Sequence, residues 1–241
     1  MSLTVQAAAR THVGLVRQRN EDRFYAGKSL FAVADGLGGH IAGDIASATV
    51  IDVLRLHDHQ AKAADLPNIL GKAVHAANEA LRRRIEAEPA LVGMGTTLVA
   101  MLLSEATAVL ANVGDSRAYL LRSADSHSCD TSQLTQLTED HTYGNLVAEA
   151  ASVPNLLERI SRFLDGRIDG RSPDLTTRDL RPGDRVLLCS DGLSSVVPHE
   201  LVRDALSSIR SPEDTADRLI ALAIDHGGPD NITLVVVDIH G

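Results

Sequence analysis

Four carboxylates stand at the mouths of apolar runs. Phe31-Ala32-Val33-Ala34 leads into Asp35-Gly36, and Val186-Leu187-Leu188-Cys189-Ser190 leads into Asp191-Gly192. Asp230-Asn231 precedes the run Ile232 to Val237, and Asp115 follows Ala108 to Val113. Any one Asp-Gly pair reads as a turn, because Asp tolerates turn geometry and Gly permits positive φ. Four acids behind four apolar runs read differently. If those strands are neighbours the acids converge, and converging carboxylates repel unless cations lie between them. Hard oxygen donors select Mg²⁺ or Mn²⁺ over softer-site metals. In Asp35-Gly36-Leu37-Gly38-Gly39-His40, Gly36 leaves its carbonyl open to close approach and the later glycines let the chain turn. Upstream, Gly14 to Phe24 sets Glu21 and Asp22 beside several arginines. A guanidinium near cations serves an anion, and its fork matches phosphate, so Arg17 is the candidate. As a surface strand, the same run would be an ordinary charged segment.

Positioning these groups requires strands that end together. Leu30–Ala34, Thr96–Leu103, Ala106–Val113, Ala118–Leu121, Val186–Cys189 and Ile232–Ile239 are short and nearly continuously apolar, the pattern of strands covered on both faces. Val109 to Tyr119 reads as a hairpin with its turn at Gly114–Arg117. Helical period appears in two pairs, Ala42–Leu56 with Leu66–Ile85 and His199–Ile209 with Pro212–Ile224. Ser211-Pro212-Glu213-Asp214 carries a cap, a first-turn proline and early acids. The segment His141–Asp174 is expected to be a mobile lid, with helical pieces at Leu146–Ala151 and Asn155–Leu164 and hinges at Gly144 and Gly166. Ser123–Gln133 reads as an exposed loop, and His57-Asp58-His59 as a solvated helix end. The order is one mixed domain over 1–241, helices outside sheets.

Composition narrows the class. The chain has 241 residues, is 44% hydrophobic and 23% charged, and has no Trp, which excludes disordered, collagen-like and rod-like chains. No apolar run reaches the roughly 20 residues of a membrane helix, and MSLTVQAAARTH is not patterned as a secretory signal. A net charge of −9 with no dense basic block beyond Arg82-Arg83-Arg84 argues against a nucleic-acid partner. Cys129 lies in a polar loop and Cys189 in an apolar run, which makes no disulfide framework and points to the cytoplasm.

Six strings occur in order: Arg17-x-x-Asn20-Glu21-Asp22, Asp35-Gly36-x-Gly38-Gly39-His40, Gly95-Thr96-Thr97, Gly114-Asp115-Ser116-Arg117, Ser190-Asp191-Gly192-Leu193 and Asp230-Asn231-Ile232-Thr233. Each is weak alone. Together they resemble the bacterial metal-dependent serine/threonine protein phosphatases of the 2C type, over about Thr11 to Ile239. The resemblance implies an α+β fold, a four-layer α-β-β-α sandwich of two mostly antiparallel sheets flanked by helix pairs. It implies two tightly bound Mn²⁺ or Mg²⁺ ions, with Asp35 between them, the Gly36 carbonyl on one, and Asp191 and Asp230 on the other. Asp115, with Asp191, would support a third, weaker ion. Glu21 and Asp22 would hold metal waters, and Arg17 the substrate phosphate. The implied reaction is hydrolysis of phosphoserine and phosphothreonine by activated water, with phosphorylated proteins and a cognate kinase or its substrates as partners. Leu37 departs from the histidine that many eukaryotic members carry there, and the lid matches only over Glu158–Gly166. A phosphoprotein-binding module with weak catalysis on the same fold is the alternative.

Overall fold

The computed structural model describes residues 3–37, 42–122, 132–147, 156–168 and 172–241. Gly38, Gly39, His40 and Cys129 lie outside the described residues, as does most of the Ser123–Gln133 loop. Two five-stranded antiparallel sheets face each other. The first runs β1 (Thr4–His12), β12 (Ile232–His240), β11 (Arg185–Cys189), β8 (Arg117–Arg122), β9 (Gln133–Gln136). The second runs β10 (Asp174–Asp179), β7 (Thr107–Val113), β6 (Leu98–Ser104), β3 (Leu30–Ala34), β2 (Arg23–Ala26). A short ribbon pairs β4 (Gly36–Leu37) with β5 (Gly95–Thr96).

Period-two alternation explains why the inner strands are apolar throughout. Phe31, Val33, Val99, Met101 and Leu110 face Leu120, Val186, Leu188, Val235 and Val237 in the inter-sheet core. Their sequence neighbours Leu30, Ala32, Leu98, Ala100 and Val109 pack outward against α1 (Ala42–Leu54) and α2 (Leu66–Ala87). On the first sheet, Tyr119, Leu187, Cys189, Leu234 and Val236 meet α4 (Asp191–Ser194), α5 (His199–Ser208) and α6 (Pro212–Asp225). The result is the expected four-layer α-β-β-α sandwich. Fully burying each such aliphatic side chain is worth about 1.5–3 kcal/mol, and the core holds without tryptophan. Buried Arg185 joins sheet to helices, donating to Asp238 and to the carbonyls of Leu206, Ile209 and Arg210.

Three sequence expectations change. The strands β7 and β8 do not form a hairpin. Each is apolar on both faces, so each needs partners on both sides, and the chain passes from one sheet to the other at Gly114, whose φ is 118°. Thr96–Leu103 is not one strand, since Gly95–Thr96 leaves the sheet to pair with Gly36–Leu37. Within the lid, α3 (Tyr143–Leu146) stands ahead of the helical piece expected at Leu146–Ala151, most of which lies outside the described residues, and 156–164 are not helical. There the chain makes bridges from Ile160 to Thr142 and from Leu164 to Thr96. The lid's far end is tied to α2 at Gly166, whose N–H donates to Asn78 Oδ1 at 2.9 Å while Asn78 donates to the Arg167 carbonyl at 2.7 Å.

Asp58 is also more than a helix end. Its carboxylate accepts from the N–H groups of Lys28, Ser29 and Leu30, from Ser29 Oγ and from Tyr25 Oη, over 2.7–3.1 Å. It organises the β2–β3 turn that aims Asp35. Although burial opposes the charge, these bonds hold the Asp58 carboxyl down at about 2, against an ordinary value of 3.8. Asp58→Ala leaves three backbone donors without their acceptor and should lower stability by about 2 kcal/mol near neutral pH. Because the folded value is depressed, that contribution is present above about pH 4 and fades as pH falls toward about 2. Urea unfolding of both proteins across this range checks it; curves that stay equally separated at every pH would contradict it.

Candidate metal centre

The strand registers bring the acids to one end of the sandwich. Cys189 lies opposite Leu234 and Arg117, so Asp191 emerges beside Asp230 and Asp115. Val33 lies opposite Val99, and Leu98 opposite Val113, so Asp35 emerges beside Gly114. Two glycines permit the final approach. A Cβ on Gly192 would stand 1.9 Å from the Asn231 carbonyl oxygen, so only glycine after Asp191 lets its loop lie against the Asp230 loop. A Cβ on Gly36 would stand 2.3 Å from the Gly43 carbonyl oxygen and 2.7 Å from that of Glu21. That absence keeps α1 and the Glu21 loop against Asp35.

A web of hydroxyls and amides fixes the acids. The Asp35 N–H donates to Thr97 Oγ1 at 3.1 Å, and its carbonyl accepts from the Thr97 N–H and the Thr96 hydroxyl, both at 2.8 Å. Thr97 Oγ1 is 2.8 Å from Ser116 Oγ, tying Asp35 to the turn that carries Asp115. Ser190 Oγ donates to Asp22 at 2.8 Å and accepts the Thr233 N–H at 3.0 Å. Asn231 Oδ1 accepts the Glu21 N–H, and its amide donates to the carbonyls of Val13 and Arg19, all within 2.9 Å. Sequence reasoning quoted Thr96, Thr97, Ser116, Ser190 and Asn231 within motifs but gave them no task. Their signal was the polar residue set beside each acid at a strand end.

The acids lie in one another's fields. Asp35 is half-buried and lies in the fields of Asp22, Asp191, Asp115 and Asp230, and burial followed by these charges pushes its carboxyl well above the ordinary range. Asp191 is raised by burial and then by Asp230, partly offset by hydrogen-bonding contact with Asp35 and by Arg17. Asp115 is pushed up to about 7 by burial, then by Asp191 and Asp140. Asp22, only 2% exposed, is pushed up to about 6 by burial, against the help of Ser190. Glu21 stands apart, with its carboxylate over Gly43 of α1. Arg17, expected to face a phosphate, donates through Nη2 to Asp230 Oδ2 at 2.6 Å; its side chain is 57% exposed.

Buried oxygens at Asp22 Oδ1, Asp115 Oδ1 and Asp191 Oδ1 have no hydrogen-bond partner. Such atoms cost free energy unless something electropositive meets them, and an all-oxygen donor set suits Mg²⁺ or Mn²⁺. Among the described residues, no three His, Cys, Asp or Glu side chains close about a single point. The Cys189 thiol is buried and pushed up to about 12 by desolvation, which leaves it no nucleophilic role.

A family model described as protein phosphatase 2C matches residues 10–171. The serine/threonine protein phosphatase PstP of Mycobacterium tuberculosis is 44% identical over 246 aligned positions, covering 99% of this chain and 46% of that protein. This chain therefore spans under half the length of that relative. The serine/threonine phosphatase stp of Listeria welshimeri is 34% identical, with 97% of this chain and 96% of that protein covered. A crystal structure of the catalytic domain of PstP in complex with two manganese ions superposes at a TM-score of 0.88 and 43% identity, with 100% of each chain covered.

Raised carboxyl values have a thermodynamic consequence. The folded state holds protons at Asp22 and Asp115 that the unfolded chain releases near 3.8, so in chelator stability should fall as pH rises from about 4 to about 8. Asp115→Asn should recover on the order of a few kcal/mol at pH 8 in EDTA, with little change near pH 4. Urea unfolding in EDTA reads both; a variant less stable than the parent at pH 8 would contradict the repulsion.

Proposed function

The chain belongs to the protein phosphatase 2C family, and from that premise we propose that it hydrolyses phosphoserine and phosphothreonine on proteins. The observation that carries the reading is the convergence of Asp22, Asp35, Asp115, Asp191 and Asp230 beneath a half-exposed Arg17. We assign Asp35 to both of two Mn²⁺ or Mg²⁺ ions, the Gly36 carbonyl to one, and Asp191 and Asp230 to the other. Asp115, with Asp191, is assigned to a third and weaker ion, while Asp22 and Glu21 are assigned to water. The manganese pair of the PstP catalytic domain and the orphaned carboxylate oxygens support this assignment. Bound there, the ions would make a water acidic enough to attack phosphorus and would offset the phosphate charge.

The chain's own residues do the positioning. Arg17 presents its fork at the cleft mouth, where it can leave Asp230 for the oxygens of a phosphate dianion. Thr97, Ser116 and Ser190 hold Asp35, the Asp115 turn and Asp22 in fixed orientation, so little reorganisation is needed as charge develops. The cleft lies outside the strand ends and the described lid residues reach its rim at Thr96 and Gly114, which supports one phosphatase domain over 1–241 with a flap at about 141–174. Among the described residues no helix is long and apolar enough to cross a membrane. We place the chain in the cytoplasm, acting on phosphorylated proteins supplied by a serine/threonine kinase. Asp22, Asp35, Asp115, Asp191, Asp230 and Arg17 lie at the cleft, with Glu21 beside it, which favours catalysis over a binding-only module.

Turnover of p-nitrophenyl phosphate and of a phosphothreonine peptide in Mn²⁺ against EDTA tests the reading. Activity should require the metal and be abolished in Asp35→Ala and Asp191→Ala with the fold retained. Hydrolysis within tenfold of the parent in either variant at saturating Mn²⁺ would overturn the two-ion assignment. Arg17→Ala should change KM by more than it changes the Mn²⁺ midpoint, which its contact with Asp230 also touches; a shifted midpoint with unchanged KM would remove Arg17 from substrate binding.

A further inference from the structure

Arg117 stands two residues after Asp115, at the start of β8. On the neighbouring strand it faces Cys189, two residues ahead of Asp191. Its guanidinium reaches three separate stretches of chain. Nε donates to both carboxylate oxygens of Asp140, at 2.9 and 3.0 Å, and Nη2 donates to Asp140 Oδ2 at 2.6 Å. Nη1 donates to Tyr119 Oη at 3.2 Å and to the carbonyl of Ser194 at 3.4 Å, where the short helix opened by Asp191 ends. Asp140 directly precedes His141, where the lid begins, and its carbonyl accepts from Asn145 of the lid at 2.8 Å. One planar cation thus joins the Asp115 turn, the Asp191 helix and the base of the lid. The pair is sheltered, with side chains 26% and 14% exposed. A forked, charge-assisted contact of this kind fixes orientation as well as adding energy.

Asp115 Oδ1 and Asp191 Oδ1 are buried and unpartnered, and these two carboxylates are the ones assigned above to the third, weaker ion. They belong to two of the stretches that the guanidinium ties together. We propose that Arg117 is a positioning residue for that ion: its fork, anchored on Asp140, sets where Asp115 stands relative to Asp191 and locks that spacing to the base of the lid. This rests on the phosphatase reading above and on its third ion. An ion that keeps mostly water depends on the placing of its few carboxylates, and the groups that orient metal-binding side chains govern affinity without touching the metal. Charge alone argues in the opposite direction. A guanidinium near a cation site repels the cation, so a residue acting through its charge would weaken the ion, and its removal would tighten binding. A residue acting through its shape strengthens the ion in spite of its charge.

The test is a Mn²⁺ titration of the full chain, with free Mn²⁺ followed by electron paramagnetic resonance and p-nitrophenyl phosphate turnover read beside it. The parent should bind two ions tightly and a third weakly. Arg117→Lys keeps the charge and loses the fork, while Arg117→Gln loses both. Each should loosen the third step about tenfold, the scale seen when a group that orients metal-binding side chains is removed, and leave the two tight steps in place. Arg122→Lys is the control. Arg122 makes the same forked contact to Asp184 at the far end of β8, at 2.8 and 2.5 Å, so its loss should lower the unfolding midpoint without moving any Mn²⁺ step. A third step that tightens in Arg117→Gln, or stays where the parent has it in Arg117→Lys, would overturn the positioning role. Loosening of the third step by Arg122→Lys, or loss of the tight steps in Arg117→Lys, would overturn it too. Should Arg117→Gln fail to fold, the lysine variant decides alone. A parent with two tight ions, no third step and full turnover would overturn the third ion and this role but leave the phosphatase reading intact. No turnover by a parent that binds its ions as expected would instead overturn the phosphatase reading.

Discussion

Mutual repulsion among carboxylates gathered at one cleft is the constraint around which this molecule is arranged. Asp22, Asp35, Asp115, Asp191 and Asp230 come from separate stretches of chain, and each lies in the field of at least one of the others. Left to themselves they would move apart or take up protons. They do neither freely, because a sandwich packed on four layers fixes the strand ends from which they project. The apolar core therefore holds an electrostatically unfavourable arrangement in place, and its energy comes from aliphatic burial far from the cleft.

The polar residues beside the acids convert that rough placement into fixed geometry. Thr97 joins the Asp35 backbone to Ser116, so the two sheets share one hydrogen-bonded hinge point at the cleft. Ser190 uses its single hydroxyl both ways, accepting from β12 and donating to Asp22. Asn231 holds the loop that carries Arg17 and Glu21. On the lid side, His141 Nδ1 accepts the Gly114 N–H at 3.0 Å and His141 Nε2 meets Asp174 at 2.9 Å, so the lid's base and the Asp115 turn form one unit. A change in any of these side chains would be felt at the carboxylates without touching substrate.

What was legible in the sequence follows burial. The six strands read from apolar runs are β3, β6, β7, β8, β11 and β12, all interior to their sheets. Besides the two-residue strands β4 and β5, the strands missed, β1, β2, β9 and β10, are the four edges of the two large sheets. An edge strand needs to cover less of itself, so Thr4–His12 and Asp174–Asp179 carry polar residues that hide the alternation. The false hairpin at Gly114 came from the same blindness, since local pattern cannot tell which sheet a strand joins. Helices on the outer faces were legible because each has a one-sided apolar stripe. At the site, the acids announced themselves by position at strand ends. Asp58 did not, because its partners lie about 30 residues earlier in the β2–β3 turn. The pairing of Arg17 with Asp230 was equally hidden, being a contact between the two ends of the chain.

The central claim is that the cleft's carboxylates are repulsive alone and satisfied by divalent cations. Thermal unfolding at pH 8 across a Mn²⁺ titration, with EDTA as the zero point, tests it most directly. Ions that bind only the folded state raise its stability by RT ln(1 + [L]/Kd) per site. The account predicts a midpoint that climbs steadily with each tenfold increase in Mn²⁺, and a climb much reduced in Asp191→Asn. An unfolding midpoint that is the same in EDTA and in millimolar Mn²⁺ would contradict it.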